Sequence, residues 1–340
     1  MNKRNSNIEC LRVVMMLFII MLHLTGEFYD LNEIALVSGN VEISALFGLR
    51  SLLMLGVSTF AFISGYYGIS PKGRLRKFIN YELMAIELGG AILILECLSG
   101  NLLVRDILVF LMPISSGCCW YFSAYMTLLI FEPIVSRGLS QLSKNEFRLI
   151  ILAVFVVEYF GYWMFNVLST DFLTLFGIYL IGRYIWLYPL RILNSVSYCH
   201  LLVAILFNFA VSALLVFYGY GKAIKYIENN HNPMIFVTAV IFFFVVIKLK
   251  QTIISERLSY IAKYAFPIYI GHVSLLHAGI IDFKQYQFVS PICSVVLYAF
   301  VVYIAFAALE IIRFSLLRPV NKSLENVIMI KFEQIKNLYN

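Results

Sequence analysis

The sequence predicts an all-α integral membrane protein with about ten transmembrane helices and both termini in the cytoplasm. Of its 340 residues, 61% are hydrophobic and only 13% are charged, and the mean hydropathy is +0.86. A soluble domain carries about 25% charged residues. The apolar residues come in repeated runs of roughly 18–25, the length that crosses a bilayer as a helix. Each run is predicted to be helical because a chain in lipid must satisfy its backbone hydrogen bonds internally.

Ten runs have this character along the chain. The predicted spans are 8–28, 44–67, 79–98, 118–136, 148–168, 172–188, 196–218, 234–248, 259–281 and 289–314. The stretch 104–116 is apolar but shorter, and it is predicted to be re-entrant or interfacial. Since neither a repeat nor a low-complexity linker divides the chain, we expect one transmembrane domain over 1–318. Residues 319–340 alternate apolar with charged side chains and are predicted to form a cytoplasmic, amphipathic tail.

The distribution of basic residues predicts the orientation. With the N-terminus inside, the inner segments carry 18 Lys and Arg and the outer segments carry 4. This bias follows the positive-inside rule and agrees with an even number of spans. The net charge of +7 is therefore interpreted as a topology signal, and no nucleic-acid partner is expected. The first run follows Lys3 and Arg4 but has no small-residue cleavage pattern, so it is predicted to be a retained span and not a signal peptide.

The six cysteines give no reason to expect a metal. They form no CxxC pair and have no histidine at metal-ligand spacing. They are interpreted as small apolar residues, and no metal is predicted.

The first span carries two side chains that are unusual at membrane depth, Arg12 and His23. They are eleven residues apart, so they share one helix face and are separated by about 16 Å along the axis. Ionisable groups in a membrane normally face a protein interior or an aqueous cavity. The pair therefore suggests a site for a long ligand with an anionic head and a reactive tip. Taken singly, Arg12 is equally explained by snorkelling to the interface and His23 by an interhelical hydrogen bond.

Several stretches resemble the membrane acyltransferase 3 family, and they occur in the family's order. The stretch Asn7-Ile8-Glu9-Cys10-Leu11-Arg12, followed by His23 eleven residues after Arg12, resembles the family's opening pattern. The others are Phe60-Ala61-Phe62-Ile63-Ser64-Gly65-Tyr66, Trp120-Tyr121-Phe122 with Glu132-Pro133, and Phe266-Pro267-Ile268-Tyr269-Ile270-Gly271-His272. Arg74-Leu75-Arg76-Lys77 resembles the family's basic inner loop, although Asn80-Tyr81 stands where the family usually has Arg-x-x-Pro.

The resemblance implies an integral-membrane O-acyltransferase that moves an acyl group, usually acetyl from acetyl-CoA, to a hydroxyl of a surface or lipid-linked polysaccharide. A bacterial cytoplasmic membrane is the expected location. Acyl-CoA has an anionic nucleotide end and a thin arm that ends in a thioester. Arg12 and the inner-loop residues Arg74, Arg76 and Lys77 are therefore predicted to bind the donor, with Lys72 beside them. Taken on its own, the charge cluster is better explained by plain positive-inside topology.

His23 is predicted to act as the general base, because an imidazole with a pKa near 6.5 accepts a proton at neutral pH. An acyl-histidine intermediate is an open alternative. Glu27, four residues later on the same helix side, is predicted to orient His23, or else it is solvated at the interface. His272, in the ninth span after Pro267, is a second candidate catalytic residue. Ser64 and Gly65 are candidates for an oxyanion contact or for close helix packing.

Two other classes of function remain open at this stage. A polysaccharide flippase or polymerase, or a small-molecule transporter, would also be polytopic, and the acids Glu82, Glu87 and Glu96 of the third span would suit proton coupling. A polymerase is expected to show a large outer loop rich in Arg and His, and a transporter to show inverted repeats; neither is visible. A membrane scaffold would leave the shared face of Arg12 and His23 unexplained.

Overall fold

The computed structural model describes residues 5–69, 74–100, 104–117, 119–158, 171–224, 228–286 and 290–338. Within these ranges all regular structure is helical, which confirms the all-α prediction. Lys72, Cys118 and the second half of the predicted span 148–168 lie outside the described residues.

The helices overlap the predicted runs, although several begin or end at other residues than predicted. They are α1 Ser6–Phe28, α2 Leu31–Ile34, α3 Val41–Leu53, α4 Leu55–Tyr67, α5 Arg74–Ser99, α6 Val104–Leu111, α7 Pro113–Ser116, α8 Trp120–Gln141, α9 Lys144–Phe155, α10 Asp171–Leu187, α11 Tyr198–Phe217, α12 Pro233–Ile247, α13 Ile253–Ala262, α14 Ala265–Ala278 and α15 Pro291–Leu338. Short 3-10 turns occur at Arg191–Asn194, Gly221–Ala223 and Phe283–Tyr286.

Polar side chains mark where several of these helices begin. Asn5 caps α1 by accepting from the Asn7 amide at 3.0 Å. Ser143 and Glu146 form a reciprocal capping box at the start of α9, with hydrogen bonds of 3.3 and 2.7 Å. Such caps satisfy amides that have no partner inside the helix. The polar residues between the apolar runs therefore help to set where these helices begin.

Five segments of the described chain are long and apolar enough to cross a bilayer: Ser6–Phe28, Val41–Tyr67, Arg74–Ser99, Tyr198–Phe217 and Pro291–Phe332. Two shorter helices, spanning Phe172–Leu187 and Pro233–Ile247, are also apolar. The predicted span 44–67 is divided into α3 and α4, which meet at Met54. The predicted span 259–281 is likewise divided into α13 and α14.

The chain separates into two compact units. Unit 1 contains residues 1–69, 134–265 and 282–300, and unit 2 contains 70–133, 266–281 and 301–340. In unit 1, α1 packs against α3, α4, α12 and α13, while α4 also packs against α10. In unit 2, α5 packs against α6 and α7.

Glycines allow α4 and α10 of unit 1 to approach each other closely. A Cβ added at Gly65 would overlap the backbone carbonyl of Tyr179, and one added at Gly182 would meet the backbone of Phe62 and Tyr66. Small residues at such contacts are typical of helix pairs in membranes. Ser64 donates to the carbonyl of its own helix at Phe60 over 2.9 Å. The contacts of Ser64 and Gly65 are thus those of helix packing.

Helix α15 is continuous from Pro291 to Leu338 and contains Pro319 within it. The predicted boundary at 318 therefore falls inside a helix. Arg76 of α5 forms an ion pair with Glu325 of α15 at 3.1 Å, so this part of α15 is attached to α5 within unit 2.

Replacing Gly65 with Ala is expected to lower the stability of unit 1, because the added methyl group meets a backbone carbonyl that cannot move without shifting α10. Overpacking of this kind costs about 1–3 kcal/mol. The measurement is the thermal unfolding midpoint of the detergent-solubilised protein. Gly90→Ala is the matched control, since nothing lies within 4 Å of a Cβ at that position of α5. Equal midpoints for both variants would contradict the close packing.

Candidate functional site

Arg12 and His23 both lie on α1, which runs without a break through both positions. They therefore share one face as predicted, and both side chains are half-buried. The guanidinium of Arg12 is held by Glu9, one turn earlier, through hydrogen bonds of 2.8 and 3.0 Å to the two carboxylate oxygens. Glu9 is itself buried. The charge of Arg12 is thus fixed against a local carboxylate, a contact that the i, i+3 spacing of Glu9 and Arg12 indicates.

The turn of α1 that carries His23 is contacted by Arg50, a residue that the sequence interpretation did not single out. Arg50 lies on α3, and its Nη1 atom donates to the Thr25 hydroxyl and, at 3.3 Å, to the Leu22 carbonyl. Its Nε atom donates to Glu228 at 2.8 Å. The guanidinium is also within electrostatic range of the His23 ring. The sequence does carry a signal for Arg50, because it is a single arginine inside an apolar run. The same reasoning selected Arg12 as a candidate site residue.

Glu228 lies in the loop that precedes α12, and its side chain is only 5% exposed. Burial raises the pKa of Glu228, and the neighbouring Arg50 charge offsets part of that rise. The net pKa is about 7. One of its carboxylate oxygens, Oε1, has no hydrogen-bond partner among the described residues. The Arg50–Glu228 pair is therefore a nearly dry ion pair beside the His23 turn.

Glu27 lies one turn after His23, and its side chain is half-buried. The charges that act on it are those of Lys284 and Asp282, beside the 3-10 turn at Phe283–Tyr286. The predicted role of Glu27 in orienting His23 stays a prediction.

A second polar cluster in unit 1 is built around His231. The ring Nε2 lies 2.7 Å from Glu158 Oε1 and 2.7 Å from the Thr174 hydroxyl, while Nδ1 faces the Asn229 side-chain oxygen. Thr174 donates to Glu158 at 2.5 Å, and all three of His231, Glu158 and Thr174 are buried. A small cavity beside this cluster is lined by Glu158, Thr174 and apolar side chains. No motif in the sequence indicates this cluster, because Glu158 and Thr174 are distant from His231 in the chain.

His272 lies in unit 2, on α14, and is 1% exposed. Its Nδ1 atom is 2.7 Å from the Ile268 carbonyl, which can only accept, so Nδ1 carries a proton and the neutral ring keeps its lone pair on Nε2. Tyr269 stacks edge-on against His272, and its hydroxyl accepts from the Tyr121 amide at 3.3 Å. Two of the stretches that resemble the family therefore meet in this unit.

Arg74, Arg76 and Lys77 were predicted to lie in an inner loop, but they form the first turn of α5, and all three have partners within unit 2. Arg74 is ion-paired with buried Glu132, and Lys77 donates to the Tyr125 hydroxyl at 2.7 Å while lying over two tyrosine rings. Arg76, paired with Glu325, keeps 58% of its side chain exposed. Of the three, Arg76 is the most available to a ligand in the aqueous phase.

Glu87 of the third predicted span also has a charge partner. Arg313 of α15 contacts Glu87 and binds Glu310 in a bidentate manner, at 2.6 and 2.8 Å. This ion pair links α5 and α15 within unit 2. The ion pair with Arg313 explains Glu87, one of the three acids that would suit a proton-coupled transporter, as a residue that holds two helices together.

Among the described residues, no group of three or more His, Cys, Asp or Glu is arranged to hold a metal ion.

The helical fold and the apolar segments of spanning length define a membrane protein with several transmembrane helices. The sequence model of the acyltransferase 3 family, described as an acyltransferase domain, matches residues 5–310. The match covers nearly the whole chain, so the protein belongs to the acyltransferase 3 family and is a membrane acyltransferase. No curated protein and no solved structure matches the chain.

Proposed function

We propose that this acyltransferase moves an acyl group, in the simplest case acetyl, from cytoplasmic acyl-CoA to a hydroxyl of a cell-surface or lipid-linked polysaccharide. The observation that carries the proposal is the continuous helix α1, which presents Arg12 and His23 on one face about 16 Å apart, within a chain of this family. The pantetheine arm of acyl-CoA is long and thin enough to follow that face. A bacterial cytoplasmic membrane is the proposed location.

In this proposal His23 is the general base. It takes the proton of the acceptor hydroxyl, the oxygen attacks the thioester carbonyl, and the CoA thiolate leaves toward the cytoplasm. Glu27 is proposed to orient the imidazole. His272 remains a second candidate catalytic group, supported by its burial and by a ring whose Nε2 is free of a proton in the neutral form.

Arg12 of unit 1 is proposed to bind the donor, and the cations Arg74, Arg76 and Lys77 in the first turn of α5 are proposed as donor-binding residues of unit 2. Arginine presents a planar pair of donors that matches phosphate oxygens, and lysine adds a compact positive charge. The exposure of Arg76 supports a direct phosphate contact. Arg74 is held by Glu132, so a phosphate that binds at Arg74 is proposed to compete with this carboxylate.

Replacing His23 with Ala is expected to reduce acyl transfer about 10²- to 10⁴-fold, which is the usual contribution of a general base.

Arg12→Ala is expected to raise KM for acetyl-CoA and to recover much of its rate at high donor concentration. The measurement is transfer of radiolabelled acetyl from acetyl-CoA to glycan in membranes with equal protein levels. His200→Ala, at the exposed start of α11, is the control. Unchanged labelling in the His23 variant would remove His23 from the mechanism, and a wild type that labels nothing would favour a transporter.

Replacing Glu132 with Gln tests the assignment of Arg74. Because the substitution releases Arg74 from its carboxylate, KM for acetyl-CoA is expected to fall by up to about tenfold, the worth of one charge-assisted hydrogen bond. Glu310→Gln is the matched control, since it removes a carboxylate from another ion pair of the same unit. An increase of KM in Glu132→Gln, equal to that in Arg74→Ala, would mean that the pair serves only the fold.

A further inference from the structure

Arg50 is a charged side chain inside a segment of spanning length, Val41–Tyr67. Its side chain is 12% exposed. A charge in this position is costly, and such residues generally face a protein interior and mark function. Membrane topology alone does not explain an arginine at this position.

The contacts of Arg50 converge on one turn of α1. Nη1 donates to the carbonyl of Leu22, the residue before His23, and to the hydroxyl of Thr25, two residues after it. Thr25 in turn donates to the Leu22 carbonyl at 2.6 Å. The three groups form a closed set of hydrogen bonds beside the backbone that carries His23.

The opposite side of the guanidinium is held by Glu228. This carboxylate accepts from Nε at 2.8 Å and is almost fully buried. Since the guanidinium is planar and rigid, fixing Nε also fixes the direction of Nη1. The edge at Nη1 is the one that meets α1.

We propose that Arg50 is a positioning residue for His23: it fixes the turn Leu22–Thr25 of α1, and Glu228 fixes Arg50. The inference rests on the proposed function of His23. A displacement of about 1 Å at a reacting group costs roughly 10²-fold in rate, so a group that holds the backbone of the base matters to kcat without touching substrate. The simpler alternative is that Arg50 and Glu228 are an ion pair that stabilises unit 1 and nothing more.

The first test uses Thr25, where a conservative replacement exists. Thr25→Ser keeps the hydroxyl and is expected to retain kcat within about twofold, whereas Thr25→Ala removes the acceptor and is expected to lower kcat about tenfold. KM for acetyl-CoA is expected to stay within about twofold in both. The measurement is release of CoA thiol from acetyl-CoA by native membranes. Equal kcat values for the Ser and Ala variants would overturn the proposal.

The second test exchanges the charges. Arg50→Gln is expected to lower kcat about 10²-fold with KM nearly unchanged. The double variant Arg50→Glu with Glu228→Arg restores an ion pair, so its unfolding midpoint is expected to recover, but a carboxylate at position 50 cannot donate to the Leu22 carbonyl and kcat is expected to stay low. Recovery of kcat together with stability would show that only the ion pair matters, and it would overturn the positioning role.

Arg148→Gln is the matched control for a lost arginine. Arg148 belongs to the same unit, and its Nε donates to the Tyr184 hydroxyl at 2.6 Å, between α9 and α10. Its kcat is expected to equal that of wild type, and a loss as large as that of Arg50→Gln would overturn the proposal. Wild type and His23→Ala are measured alongside. An inactive wild type refutes the proposed function itself, whereas an active wild type, an inactive His23→Ala and an unaffected Arg50→Gln refute this inference alone.

Discussion

The structure depends on one constraint, the cost of placing a charge where water is scarce. Four partly buried arginines of the described helices pair with carboxylates: Arg12 with Glu9, Arg50 with Glu228, Arg74 with Glu132, and Arg313 with Glu87 and Glu310. Removing one partner of such a pair leaves an uncompensated charge, which costs about 3–5 kcal/mol. Where such a pair joins two helices, as Arg74–Glu132 and Arg313–Glu87 do, it holds those helices together within the unit.

The two units use this constraint differently. In unit 1 Arg50 pairs with Glu228 and also donates to the turn of α1 that carries His23, so an interaction that holds the fold also contacts the backbone next to the candidate base. In unit 2 the pairs of Arg74 and Arg76 involve residues that the sequence assigns to donor binding. In the proposed function, an anionic donor that binds there would exchange one anion for another, and the protein carboxylates would compete with it for these cations.

Much of the fold was predictable because the apolar runs are long and their boundaries are polar. Helix α1 begins and ends within two residues of the predicted span, and its length puts Arg12 and His23 on one face as expected. Helices α13 and α14 were predicted as one span, because an apolar run does not reveal a break that depends on packing. The partners of Arg50 and His231 were not predictable, since Glu228 and Glu158 are distant in the chain and carry no motif. The pairing of Glu9 with Arg12 could have been predicted from the sequence, because the two residues are three positions apart on one helix.

The central proposal is that an acyl group passes from a cytoplasmic CoA donor to a glycan hydroxyl at a site on α1. The most direct measurement compares sealed inverted and right-side-out membrane vesicles, each given radiolabelled acetyl-CoA, which does not cross a bilayer. We expect glycan to be labelled in inverted vesicles, where the cytoplasmic face is outside, and not in right-side-out vesicles until detergent opens them. The same labelling in intact right-side-out vesicles, or labelling that persists in inverted vesicles after His23→Ala, would contradict the account.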